Sequence, residues 1–161
     1  MNPVQLTINV VRPTLQKLGL YSRAAEQLVV GTIYQESRAE YLVQLNHGPA
    51  LGLVQMEPAT YHDIWNHFLA YNRPLANKIT ELAAMESLDD DMLPHPTQLV
   101  TNLAFAVAMC RVHYWRVKEP LPAAGDVPGL AAYWKAHYNT ELGDGTEAEF
   151  IKHFPLEILQ C

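Results

Sequence analysis

A chain of 161 residues, 49% of them hydrophobic, is long enough to bury one core without staples, and a single domain over residues 1–161 is expected. Acidic residues outnumber basic ones, 17 to 11, and the net charge of −6 without a basic cluster argues against a nucleic-acid partner, since phosphates are held by grouped Lys and Arg. No apolar run approaches the roughly 20 residues of a membrane span, and the start of the chain lacks the charged-then-apolar order of a secretory leader, so synthesis in a cytoplasm without a signal peptide is expected.

Asn2-Pro3 opens a first helix that Pro13 should kink or divide, because proline has no amide hydrogen and its ring meets the carbonyl four residues back. Leu20-Tyr21-Ser22 caps a second helix that runs to Ser37. Glu40 to Gly48, with Tyr41, Leu42, Val43, Gln44 and Leu45, reads as a small hairpin or irregular flap. Gly48 to Thr60 sets two glycines and two prolines around a short apolar run, which predicts a tight turn entering a new helix with Pro58 in its first turn. Helices are predicted near Ala59 to Leu69 and Pro74 to Glu86, and a loop from Asp89 to Pro96. A helix from about Thr97 to Val117 carries Leu99, Leu103, Ala106, Val107, Cys110 and Tyr114 at core spacing and is expected to be central. Pro120 and Pro122 stop it, Gly125-Asp126 turn the chain, and a helix from Leu130 to Asn139 returns toward Glu36. Gly143 and Gly145 then precede a last short helix, Thr146 to Phe154.

Glu36 is the residue out of place. Ala25, Leu28, Val29, Thr32 and Ile33 recur at three- and four-residue spacing, and on a 3.6-residue turn Glu36 falls near the middle of that apolar arc. Glu26, by contrast, reads as a residue of the polar side. The helix pattern fades after Ser37, which leaves Glu36 in the last turn, where unpaired carbonyls and the negative end of the helix dipole disfavour its ionised form. Partial burial acts in the same direction, and a Glu kept protonated near neutral pH is a general acid. The structural counterpart is a Glu that pairs with Arg38 or Arg23 and anchors the helix end. Downstream, Gly52 would let a backbone pass close to a ligand, and Gln55 offers both a donor and an acceptor beside the carboxylate.

Other polar clusters read as structural. Asp89-Asp90-Asp91 is a solvated loop without the alternating spacing of calcium ligands, and His62 and His67, five residues apart, do not share a face as zinc ligands would. No metal and no cofactor are expected. Cys110 within an apolar helix and Cys161 as the last residue predict no disulfide.

Glu36-Ser37 at a helix end, Gly52-Leu53-Val54-Gln55 sixteen positions after Glu36, and Pro58-Ala59-Thr60 at the start of the next helix together resemble soluble lytic transglycosylases and goose-type lysozymes. Those proteins combine Glu-Ser with a Gly-Leu-Met-Gln stretch, in which Val54 here replaces Met. The resemblance implies a mainly α, lysozyme-like (α+β type) helical domain with a small hairpin or irregular flap, and a groove for peptidoglycan glycan strands contacted by Ser37, Tyr41, Gln44, Gly52, Gln55 and Met56. It also implies a late Tyr-Asn pair whose Tyr hydroxyl bonds the catalytic Glu. Tyr138-Asn139, followed by Thr140, is the preferred match, although no Gly follows until Gly143; Tyr133 is the other, and then Trp134 stands in the Asn position.

The implied activity is cleavage of the β-1,4 bond between N-acetylmuramic acid and N-acetylglucosamine, with Glu36 as acid and base. A lytic transglycosylase uses one Glu for both proton transfers, whereas an inverting hydrolase needs a second acid to activate water. Glu57 is an acid at a place where goose-type lysozymes carry one, while their other acid, thirteen residues past the catalytic Glu, is Pro49 here. The alternative is a non-catalytic module of the same fold that binds cell wall or forms part of a phage particle. A phage-type origin, with the domain virion-associated or released at lysis, follows from analogy with compact muralytic domains.

Overall fold

The computed structural model describes residues 1–139 and 144–161, and the architecture is mainly helical. The chain enters in α1 (Pro3–Leu6), where Asn2 Oδ1 accepts the Gln5 amide at 2.9 Å. A π-helical stretch, Thr7–Val11, leads into α2 (Arg12–Leu18). Pro13 accounts for it: without an N–H for Asn9, and with a ring that would strike that carbonyl, it widens the preceding turn. Ser22 Oγ accepts the Ala25 amide at 3.1 Å and starts α3 (Arg23–Glu36).

After an exposed flap come α4 (Pro58–His67), with Pro58 in its first turn, a 3-10 turn at Leu69–Tyr71 and α5 (Arg73–Thr80). A 3-10 turn at Met85–Ser87 precedes α6 (Gln98–Thr101) and α7 (Leu103–Trp115). α8 (Val127–Trp134) runs into a second π-helical stretch, Lys135–Asn139, and α9 (Glu147–His153) opens on a capping box between Thr146 and Glu149. Thr140 and Gly143, which figure in the predicted Tyr-Asn segment and the turn after it, lie outside the described residues.

Two predicted helices are shorter than their periodicity suggests, and the side chains of Asn102 and Gln98 explain both. Asn102 sits at φ −132°, ψ 103°, splitting the predicted 97–117 helix, and its Oδ1 caps the restarted helix by accepting the Phe105 amide at 3.0 Å. Its Nδ2 donates to the Leu82 carbonyl at 2.7 Å, while Gln98 Oε1 accepts the Ala84 amide at 3.0 Å. Backbone groups that would have continued α5 to Glu86 are thereby committed to side chains, and α5 stops at Thr80.

α3 is enclosed: every residue from Ala24 to Ile33 is buried, and the helix packs on the first π turn, α7, α8 and α9. α7 is buried from Phe105 to Tyr114 and touches α2, α4 and α5 as well, so the two helices form the core together. Enclosure overturns the surface assignment of Glu26. Its carboxylate is fully buried, held by Arg12 (Nε at 2.6 Å, Nη2 at 3.0 Å) and by Arg23 Nη1 at 2.6 Å, and Arg23 also donates to the Ile158 carbonyl at 2.8 Å. The amphipathic pattern fails here because a helix wrapped on all sides has no polar face, and an acid on it needs a buried partner. Glu26→Gln leaves two guanidinium groups without their anion and is expected to cost about 3 kcal/mol, read as a lower melting temperature and urea midpoint.

Candidate active site

α3 closes at Glu36, and Ser37 fastens that end. The Ser37 amide donates to the Ile33 carbonyl at 3.0 Å, and its hydroxyl donates to the Leu53 carbonyl at 2.7 Å. Arg38 and Ala39, both at left-handed φ, then reverse the chain into the flap. Residues 40–48 form the irregular flap, with Tyr41, Leu42, Val43 and Leu45 exposed. The hairpin lies further on: Leu51 and Met56 exchange both backbone hydrogen bonds at 3.0 Å around the turn Gly52–Gln55, and Val43 bridges to Leu51 from the flap side. Gln55, at φ 46°, folds its amide back to donate to the Gly52 carbonyl at 2.8 Å.

Gly52 has a different reason from the one its sequence suggests. It lies at φ 72°, and a Cβ there would fall 2.0 Å from the Leu99 carbonyl oxygen. The close approach is to the backbone of α6, and Gly52 does not line the cleft beside Glu36.

That cleft has a volume of about 620 Å³. Glu36, Ser37, Tyr41 and Gln44 line it from the end of α3 and the flap, Gln55, Met56 and Glu57 from the hairpin, and Tyr138 and Asn139 from the second π stretch. Segments more than 80 residues apart in sequence thus meet around one carboxyl group. Gln44 Oε1 is occupied by the Ala50 amide at 3.1 Å, and Asn139 Oδ1 by Lys135 Nζ at 2.6 Å, which leaves their amide NH2 groups as the ends offered to the cleft. Thr60 of the Pro58-Ala59-Thr60 motif and Arg38 also line it, as does His113, which the sequence did not single out.

The hydrogen bond to Glu36 comes from neither predicted Tyr. Trp134 Nε1 donates to Glu36 Oε1 at 2.8 Å. Tyr138 does reach the site, but its hydroxyl donates to the Val54 carbonyl at 2.7 Å, tying the π stretch to the hairpin. Tyr133 faces elsewhere: its hydroxyl donates to the Glu119 carbonyl at 2.9 Å and it does not line the cleft. A helix register explains this, since Trp134 and Tyr138 are four residues apart and share a face while Tyr133 is rotated about 100° from Trp134. The i, i+4 spacing to Tyr138 was the signal that could have found Trp134.

Trp134 is itself held tightly. It is fully buried, its ring centre is 5.4 Å from that of Phe150, and a Cβ on Gly145 would meet it at 2.7 Å. Behind the carboxyl group lie the fully buried thiol of Cys110 and a Thr32–Tyr114 hydroxyl pair at 2.7 Å. His113 Nε2 donates to the His137 carbonyl at 2.7 Å, and burial pushes this imidazole down to about 4, so it stays neutral.

Among the described residues no cation pairs with Glu36. Arg23 is committed to Glu26, and Arg38 to His153. Burial raises the Glu36 carboxyl from its ordinary 4.5 to about 7, against the opposing pull of the Trp134 N–H, which favours the charged form. Glu57 lines the same cleft from an exposed position just before α4.

Among the described residues no three His, Cys, Asp or Glu side chains gather as a metal site, and no helix is long and apolar enough to cross a membrane. The Asp89 carboxylate closes its own loop, accepting the Asp91 and Leu93 amides at 3.0 and 2.8 Å. Cys110 and Cys161 are free thiols. Comparison with family models, with curated proteins and with solved structures gives no match.

Two outcomes follow from the partnerless carboxyl. NMR titration of the Glu36 side-chain carbon is expected to give a midpoint near 7, and Trp134→Phe, which removes a donor to the charged form, should raise it further. A folded-state value above the unfolded one means that stability from the neutral carboxyl is present below about pH 4.5 and lost as pH rises through 7. Glu36→Gln should therefore melt higher than the parent above pH 7, by up to about 3 kcal/mol, with the difference vanishing below about pH 4.5.

Proposed function

We propose that this chain folds as a lysozyme-like domain and cleaves the β-1,4 bond between N-acetylmuramic acid and N-acetylglucosamine in peptidoglycan, with Glu36 as general acid and base. One observation carries the reading: a carboxyl group raised to about 7, with no cationic partner, in the wall of a cleft of about 620 Å³. Such a group holds a proton at neutral pH, can give it to a leaving oxygen, and can take one back in the next step. The cleft offers what a glycan needs on either side of the bond. Tyr41 supplies an aromatic face, and Gln44, Gln55 and Asn139 supply amides for hydroxyl and acetamido groups.

In the transglycosylase route, Glu36 protonates the bridging oxygen as the bond to the muramic-acid C1 breaks. The resulting carboxylate then takes the proton of that sugar's C6 hydroxyl while its oxygen closes on C1, leaving a 1,6-anhydro end. In the hydrolase route a water replaces the C6 hydroxyl, and Glu57, which faces the same cleft, is the residue to position it. The products separate the two, anhydro ends against reducing ends. The partner in either case is the glycan strand of the cell wall, reached from a virion or at lysis.

The second reading, a wall-binding or phage structural module of the same fold without turnover, draws on the net charge of −6, which repels an acidic wall and suits a domain delivered by a larger particle. Digestion of purified murein sacculi, resolved by mass, decides between them. The parent protein is expected to release muropeptides, and Glu36→Gln to release them at least about 100-fold more slowly while keeping its circular dichroism spectrum. A parent that binds sacculi and releases nothing supports the module. A Glu36→Gln protein as fast as the parent removes Glu36 from the chemistry.

A further inference from the structure

A second cavity, about 470 Å³, lies at the opposite end of α3 from Glu36, between Leu20 and Ser22, the last turn of α7 and the segment 117–121. It shares no lining residue with the cleft. Arg111 is its buried cation. This side chain is 4% exposed, its Nε donates to the Leu20 carbonyl at 3.1 Å, and its guanidinium carbon stands 5.0 Å from the centre of the Trp115 ring. Among the described residues no anion answers it. Among the described residues the ion pairs involve Arg12, Arg23, Arg116 and His67, and the two terminal nitrogens of Arg111 have no protein acceptor. Glu119 lines the cavity without pairing with Arg111.

Most of this guanidinium is out of water without an anion, which is costly, while its unpaired terminal nitrogens are not among the fully buried atoms and keep an opening to solvent. Burial already pushes Arg111 below its ordinary value. Holding one carbonyl of Leu20 does not need a permanent charge, so the charge calls for a ligand.

We propose that this cavity binds a monoanionic carboxylate with a flat or apolar body. With Nε spent on Leu20, the free edge of Arg111 is its pair of terminal nitrogens, whose parallel N–H groups match the two oxygens of a carboxylate. The charges lining the cavity favour a single negative charge: Lys118 and Glu119 offset each other and leave Arg111 in excess. Tyr21 and Trp115, 39% and 48% exposed, give the body of the ligand aromatic surface to lie against.

Benzoate is the probe, read by the Trp115 indole N–H in NMR spectra and by melting temperature, neither of which involves glycan cleavage. The expected result is a saturable shift of that signal with a Kd of about 1 mM or tighter, and a rise in melting temperature. Benzamide, which has the shape without the charge, and inorganic phosphate should each bind at least about tenfold more weakly. Arg111→Met keeps an apolar stem, should melt at or above the parent temperature because an unpaired buried charge is gone, and should weaken benzoate at least about tenfold. If Arg111→Met does not fold, Trp115→Ala, at a half-exposed position and read by melting temperature alone, tests the same site and should weaken benzoate several-fold. The proposal is overturned by an unmoved Trp115 signal, by benzoate affinity unchanged in the folded variant, or by phosphate binding as tightly as benzoate.

Discussion

A carboxyl group placed at the end of a fully wrapped helix, with no cation to meet it, is the constraint on which the rest of the site depends. α3 is buried from Ala24 to Ile33, so its last turn emerges at the edge of the core and not on open surface. Glu36 is therefore delivered to a place where water is scarce but a cleft is open. Two hydrogen bonds hold the walls around it. Ser37 binds the helix end to Leu53, and Tyr138 binds the π stretch to Val54, so both walls are anchored on the same short hairpin. Arg38, the nearest cation in sequence, lines the cleft from a left-handed backbone position, and its guanidinium is taken up by His153.

The one group that does reach Glu36 is fixed through packing. A Cβ on Gly31 would lie 2.5 Å from Phe150 Cζ, so the missing side chain lets α9 approach α3 closely. Phe150 in turn stacks on Trp134, and Gly145 leaves room on its other side. The indole N–H is thus aimed by three contacts that carry no charge. An N–H of a neutral ring lowers the carboxyl's affinity for a proton modestly, whereas a guanidinium in the same place would hold it ionised. The choice of donor sets the carboxyl in the range where it can both give and accept a proton.

Local chemistry was readable in the sequence where the interaction is local. The Ser22 cap, the effect of Pro13, the loop around Asp89 and the burial of Glu36 follow from residues within a turn or two. What was not readable depends on partners far along the chain. Glu26 looked like a surface acid because Arg12 lies 14 residues away in another helix. Asn102 split one helix by capping Phe105 and, with Gln98, ended another through contacts to Leu82 and Ala84, and periodicity cannot show a side chain competing for backbone. Trp134 meets Glu36 across 98 residues, and the register that separates it from Tyr133 is a matter of one position on a helix.

Glu26 and Glu36 make the physical point together, since they occupy the same helix ten residues apart and both leave bulk water. Glu26 is met by two guanidinium groups at 2.6 Å, and these pairs tie α2 and the C-terminal segment to α3. Glu36 is met by one neutral N–H and stays protonatable. A carboxyl group buried without a counter-ion is the one whose proton affinity rises toward neutral pH. The cost of that arrangement is a carboxyl that destabilises the fold whenever it ionises, and a core as continuous as the one around α3 and α7 is what lets the chain carry it.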